Sequence, residues 1–243
     1  MTEKTALVTG TSRAAGLGFA VARRLAELDY HVFLAARDRE AAELLAAQLR
    51  TEGREATALR LDLVDPNSIE QAASEVSLAV DHLDVLVNNA SAMPDFRTLN
   101  ALDADMGDVR AALEVSMIGP WTLIKALLPL LTAASAARIV NVSSLSAQQV
   151  ATGLDLGAPL RAPAYSMGKY MLNALTAVLG RALMETPILV NAVDPGSTAT
   201  HPERGDEEGD RPAADSARDI VRAATLGTDG PTGALFADGA HND

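Results

Sequence analysis

Tyr165 and Lys169, in the run Tyr165-Ser166-Met167-Gly168-Lys169, are spaced to share one face of a helix a single turn apart. A tyrosine phenol titrates near pH ~10 and is a weak acid by itself. A neighbouring ammonium favours the phenolate and eases proton transfer in either direction. Such a pair suits a reaction in which negative charge grows on an oxygen as hydride reaches its carbon, where a proton donor and a second hydrogen-bond donor must converge. A hydroxyl for the second role stands in Ser143-Ser144, where Ser144 is followed by twenty residues, 145–164, before Tyr165.

These side chains need a scaffold that brings distant segments together. Short apolar runs at 6–9, 31–35, 57–61, 85–88, 138–142, 188–193 and 234–236 read as buried parallel strands. Between them, 18–28, 41–52 and 68–80 carry apolar residues at helical spacing among good helix formers. Strand followed by helix, repeated, predicts an α/β fold over residues 1–243: one domain with a doubly wound parallel sheet of about seven strands and helices on both faces. The polar, acidic segment 201–215 is expected to be a mobile loop.

The first strand runs into Thr9-Gly10-Thr11-Ser12-Arg13-Ala14-Ala15-Gly16-Leu17-Gly18 and then a helix. Glycines there let the backbone approach a pyrophosphate, which the amides and dipole of the helix N-terminus stabilise. The second strand ends Ala35-Ala36-Arg37-Asp38. An NAD site is expected to offer a carboxylate to the ribose 2'-hydroxyl near this point. A guanidinium from Arg37, joined by Arg13, is instead suited to a 2'-phosphate, which favours NADP(H) over NAD(H). Asp38 is a competing carboxylate one residue on.

The bulk properties agree with a small-molecule enzyme. A net charge of -12 opposes binding to nucleic acid or an anionic membrane. The chain has no cysteine and four scattered histidines, so no metal site or disulfide is expected. No signal-like stretch and no span long enough for a bilayer is evident, and a cytoplasmic setting is expected.

Taken in order, several of these features resemble the classical short-chain dehydrogenase/reductase family, carbonyl reductases in particular, over almost the whole chain. They are the glycine turn, Leu61-Asp62-Leu63, Asn88-Asn89-Ala90-Ser91, Ser143-Ser144, Tyr165 with Lys169, and Pro195-Gly196. The resemblance implies a Rossmann fold and hydride transfer between NADP(H) and a ketone, aldehyde or alcohol. It implies that Ser144 holds the substrate oxygen, with Ser143 as the alternative, and that Lys169 also binds the nicotinamide ribose. It places Gly10, Ser12, Arg13, Gly16, Leu17, Gly18, Arg37, Asp62, Leu63, Asn89, Ala90, Pro195, Gly196 and Thr198 around the cofactor, with Asp62 facing the adenine and Thr198 the carboxamide.

The chain also departs from the family pattern. Five residues rather than three separate Gly10 from Gly16, as in divergent enoyl-thioester reductases, so the phosphate loop should bulge. Those relatives have six residues between Tyr and Lys, and this chain has three. Ser116 occupies the place of the asparagine that completes the family's catalytic tetrad. Ser91 replaces a glycine, as in pteridine reductases, and Ser143-Ser144-Leu145-Ser146-Ala147 is similar to sepiapterin reductase. The 145–164 and 92–102 segments are expected to wall the substrate pocket. Apolar residues beyond one face of the helices holding Trp121, Leu123, Leu127, Leu128, Leu131 and Met171 to Leu179 imply, by resemblance, a homodimer or homotetramer. Long inserts before the tyrosine accompany monomeric relatives. Enoyl or pteridine reduction, and a non-catalytic dinucleotide-binding role, are the readings left open.

Overall fold

The apolar runs become strands whose alternate residues enter two different cores, which is why they read as continuous rather than alternating. In the computed structural model, which describes residues 4–152, 160–200 and 209–237, Ala6 and Val8 pack on one side of the sheet with Val32, Leu34 and Val87. Leu7 packs on the other with Phe33, Leu86 and Ile139. The strands are β1 (Lys4–Thr9), β2 (Tyr30–Ala36), β3 (Ala56–Arg60), β4 (Val85–Asn88), β5 (Arg138–Val142), β6 (Leu189–Asp194) and the edge strand β9 (Leu235–Ala237). They form one sheet in the order β3-β2-β1-β4-β5-β6-β9. Every pairing in it is parallel.

Three helices cover the first core: α1 (Leu17–Glu27), α2 (Arg39–Thr51) and α8 (Ala213–Ala224), through residues such as Phe19, Leu25, Leu49 and Ile220. The second core is covered by α3 (Pro66–Ala79) and α5 (Gly119–Ala133), through Ile69, Val76, Leu123 and Leu127. Each such fully buried side chain contributes roughly 1.5–3 kcal/mol relative to exposure. Caps set the helix starts. Asp38 accepts from the amides of Glu40 and Ala41 to begin α2, and Asp65 accepts from Asn67 to begin α3 with Pro66 in its first turn. These caps start both helices two residues ahead of the apolar periodicity.

Three expectations change. The 201–215 segment is not a loop throughout: Arg211–Pro212 forms β8, which pairs with β7 (Thr198–Ala199), and α8 begins at Ala213. Arg211 anchors the turn through its ion pair with Asp219 at 2.9 Å and its bond to the Pro195 carbonyl at 3.2 Å. Residues 201–208 lie outside the described part, as do 153–159 of the expected pocket wall. The rest of that wall begins as α6 (Leu145–Ala151), ahead of the long α7 (Pro163–Ala182). Third, α4 (Met106–Leu113), a π-helical turn Glu114–Ile118 and α5 run on as 28 helical residues, Met106–Ala133. By length and mean hydropathy this stretch could cross a bilayer, contrary to expectation. Its apolar character has another cause: Leu123, Leu127 and Leu131 are wholly buried in the second core.

Strand order reverses at β1. From it the chain builds outward to β3, then returns to place β4 on β1's other side, so the loops leaving β1 and β4 part and open a crevice at their C-terminal ends.

Candidate active site

The glycine turn forms the floor of that crevice. Gly10 has φ +74°, and a Cβ there would stand 2.8 Å from the Ala90 Cα. A Cβ on Gly18 would meet the Gly10 carbonyl oxygen at 2.6 Å and Asn89 Nδ2 at 2.5 Å, so both positions require glycine. Asn89 donates to the Thr9 and Gly10 carbonyls at 2.8 and 3.3 Å, while the Thr9 hydroxyl accepts from the amides of Asn89 and Ala90. Asn89 therefore braces the turn. Thr11 is buried against the end of β2, where the Ala35 carbonyl accepts from Gly10 N, Thr11 N and Thr11 Oγ1. The extra length is absorbed beyond it, where residues 12–15 are exposed and the Gly16 amide donates to the Arg13 carbonyl at 3.0 Å. Unlike α2 and α3, α1 has no side-chain cap, and its first turn holds no acidic residue. Its first amides suit an anion.

At the tip of β2, Arg37 is exposed and has no ion pair among the described residues, whereas Asp38 is occupied in capping α2. Arg13 donates to the Thr200 carbonyl at 3.1 Å. Arg13 thus reaches across to the segment after β7. Asp62 is half-buried and accepts from the Val64 amide at 3.2 Å, and Leu63 lies under the start of α5 at Gly119. Thr198 contacts the Gly196 carbonyl and the Ser216 hydroxyl, at 3.1 and 2.8 Å. Pro195 and Gly196 form the turn leaving β6, with Gly196 at φ +69°.

Tyr165 and Lys169 occupy the first two turns of α7. Lys169 is 2 % exposed, donates to the Val142 carbonyl at 2.6 Å and lies 5.8 Å from the centre of the Tyr165 ring. Burial lowers its pKa to about 8, against the opposing pull of the Asp194 carboxylate. Burial pushes the Tyr165 phenol above its usual value and Asp194 adds to this, while hydrogen bonds with Ser144 and Ser91 pull it down. Burial outweighs the hydroxyls, and the ammonium is turned toward β5.

The two serines after β5 separate. Ser143 is buried and donates to Asn173 Oδ1 at 2.7 Å, whereas Ser144 caps α6 and faces the Tyr165 phenol. Ser116 lies in the π-helical turn, 1 % exposed, with a hydroxyl that has no partner among the described residues. A Cβ on Gly168 would stand 3.1 Å from that hydroxyl, so Ser116 packs against α7 at the residue before Lys169.

A family model described as short chain dehydrogenase matches residues 4–210. The chain belongs to that family. The short-chain dehydrogenase fold is also seen in the solved Pseudomonas aeruginosa RhlG/NADP active-site complex, with a TM-score of 0.81 and 28% identity, covering 96% of this chain and 94% of that one. A ketoacyl reductase assigned to the monensin polyketide synthase of Streptomyces virginiae is 33% identical over 90% of this chain and 80% of its own length. The fatty acyl-CoA reductase of Acinetobacter baylyi is 30% identical over 78% of this chain, which spans only 61% of that protein.

Three residues near the site of this short-chain dehydrogenase carried no sequence signal. Asp194, 4 % exposed, accepts from the Gly196 amide at 3.0 Å and from Gln148 Nε2 at 2.8 Å, clasping the β6 turn to α6. An Asp before Pro-Gly reads as an ordinary turn. Gln148 sits on a short helix in a stretch with no clear periodicity. Asp95, in Met93-Pro94-Asp95-Phe96, looks like loop punctuation yet is 2 % exposed.

Proposed function

We propose that the protein is an NADP(H)-dependent oxidoreductase that interconverts a ketone or aldehyde and the corresponding alcohol. The reading rests above all on one cluster: the Tyr165 phenol, with Ser144 and Ser91 hydroxyls on it and Lys169 one turn away, beyond the C-terminal ends of β4 and β5. The cofactor's phosphates fit the uncapped start of α1 and the bare backbone of Gly10 and Gly18, and Arg37 offers a guanidinium with no ion pair among the described residues to a 2'-phosphate. NADP in the RhlG complex supports the same choice. When bound, the nicotinamide supplies or accepts the hydride.

The chain's own residues do the rest. Ser144 donates a hydrogen bond to the substrate oxygen and orients it. Tyr165 delivers the proton to that oxygen on reduction and takes it back on oxidation. Lys169 is still largely charged at neutral pH, and its field steadies the phenolate left after proton donation. Ser116 supports α7. The ketoacyl reductase and fatty acyl-CoA reductase relatives favour a carbonyl substrate.

Tyr165→Phe is expected to abolish NADPH-dependent turnover across a panel of ketones and aldehydes, while NADPH binding, followed by fluorescence titration, persists. Undiminished turnover overturns the mechanism. The protein is taken to act in the cytoplasm as a homodimer or homotetramer, supported by exposed Ile118, Trp121, Met167 and Val178 on α5, α7 and the turn before α5. Light scattering on the eluting protein checks the assembly, and a monomer ends it.

A further inference from the structure

The helix that carries Tyr165 has no cap of its own. Its N-cap residue, Ala162, adopts φ 53° and ψ 64°, a left-handed conformation unfavourable for a residue with a Cβ, and offers no side-chain acceptor. Pro163 follows with no amide hydrogen, which leaves the amides of Ala164 and Tyr165 as the first donors that need partners. Asp95 meets both. Its Oδ2 accepts from Ala164 N at 2.6 Å and its Oδ1 from Tyr165 N at 3.3 Å, across 69 and 70 residues of sequence.

Asp95 is 2 % exposed and has no ion pair among the described residues. A carboxylate buried without a cation is unfavourable unless dipoles and hydrogen bonds replace its water. The N-terminus of a 20-residue helix supplies them. The loop is fastened again close by, where the Ala162 amide donates to the Thr98 carbonyl at 2.9 Å, which holds the left-handed residue in place. The same loop starts at Ser91, whose hydroxyl is on the Tyr165 phenol. One segment therefore grips Tyr165 at its backbone and at its hydroxyl.

We propose that Asp95 is a positioning residue for Tyr165: by capping α7 from the loop after β4, it fixes the phenol relative to Ser144 and to the substrate. This rests on the acid/base reading of Tyr165. Asp95 touches neither substrate nor cofactor and acts through the helix start alone.

The test compares Asp95→Ala, Asp95→Asn and Asp105→Ala. Asp105 caps α4 in the ordinary local way, accepting from the amides of Gly107 and Asp108, so its loss is a control for removing a cap elsewhere. Asp95→Ala is expected to lower kcat by about 10- to 100-fold, the scale of a reacting group displaced by a fraction of an ångström to an ångström. NADPH affinity should stay within about 2-fold, because the glycine turn is untouched. Asp95→Asn keeps one oxygen for the short bond to Ala164 and loses the bond to Tyr165, so it should show a smaller fall in kcat and faster exchange of the Tyr165 amide hydrogen. Asp105→Ala should leave kcat unchanged. A kcat in Asp95→Ala no lower than in Asp105→Ala, or a fall in NADPH affinity that matches the fall in kcat, overturns the assignment. If the alanine variant does not fold, unchanged kcat and unchanged Tyr165 amide exchange in Asp95→Asn overturn it instead. Turnover retained in Tyr165→Phe would sink the parent reading. Turnover lost there but kept in Asp95→Ala sinks only the role of Asp95.

Discussion

Lys169 is charged in a dry place, and this has a measurable consequence for stability. Burial lowers its pKa from 10.5 to about 8. Between those values the unfolded chain holds a proton that the folded chain does not. The stability this lysine contributes is therefore fully present above pH 10.5 and is lost as pH falls through that window to 8. At about 1.4 kcal/mol per unit the full difference is roughly 3 kcal/mol, of which about 2 kcal/mol falls between pH 8 and pH 10. Lys169→Met removes this titration and leaves the Val142 carbonyl without its partner, a loss of about 1–3 kcal/mol that does not depend on pH. Urea unfolding of both proteins at several pH values, subtracted pairwise, cancels every other titrating group. The wild-type minus variant difference should rise by about 2 kcal/mol from pH 8 to pH 10, with turnover absent in the variant throughout. A difference that stays flat over that range refutes the placement of Lys169 in a site closed to water.

Two other outcomes follow from the same geometry. Arg37→Asp should lower the NADPH-over-NADH preference in kcat/KM by about 10- to 100-fold, the value of a charge-assisted contact with a phosphate; an unaltered ratio means that Arg37 does not read the 2'-phosphate. Ser144→Ala should lose about 100-fold or more in kcat as an oxyanion donor does, while Ser143→Ala, which loses only its bond to Asn173, should lower the unfolding free energy by about 1 kcal/mol and keep its turnover; the reverse pattern would exchange the two serines.

The fold was legible because both periodicities were clean. Continuous runs such as Ala6-Leu7-Val8 serve two cores at once, and the seven runs found their strands with ends shifted by a residue or two. The shifts come from caps and turns, which obey hydrogen bonding rather than apolar spacing. Motif residues at strand ends were equally legible, since Gly10, Asn89 and Ser144 stand in local turns directly after β1, β4 and β5. Contacts between segments were not legible. Nothing in the sequence indicates that Arg13 reaches the Thr200 carbonyl, or that Asp95 caps a helix about seventy residues away. The 28-residue apolar helix shows the same limit, because what makes it a core element is the sheet it lies on.

The geometry also accounts for why α7 is so heavily tethered. In a doubly wound sheet, groups at the C-terminal ends of strands inherit their positions from the strand pairing, as Asn88 and Asn141 do across β4 and β5. Tyr165 and Lys169 have no such register, because a helix can slide or rotate on a sheet at little expense in apolar burial. The polar contacts of α7 remove that freedom at successive turns. Asp95 holds its start, Lys169 bonds Val142 at 2.6 Å, Asn173 accepts from Ser143, and Thr176 accepts from Asn141 Nδ2 at 2.8 Å. Asn141 in turn accepts from Asn88 Nδ2 at 2.8 Å, which links β4, β5 and α7 in one buried chain of hydrogen bonds. Further along, Gly180 meets the backbone of Gly233, where a Cβ would come within 2.6 Å of its nitrogen. A helix fixed in this way transmits the register of the sheet to the phenol, so the proton donor is located as firmly as if it stood on a strand.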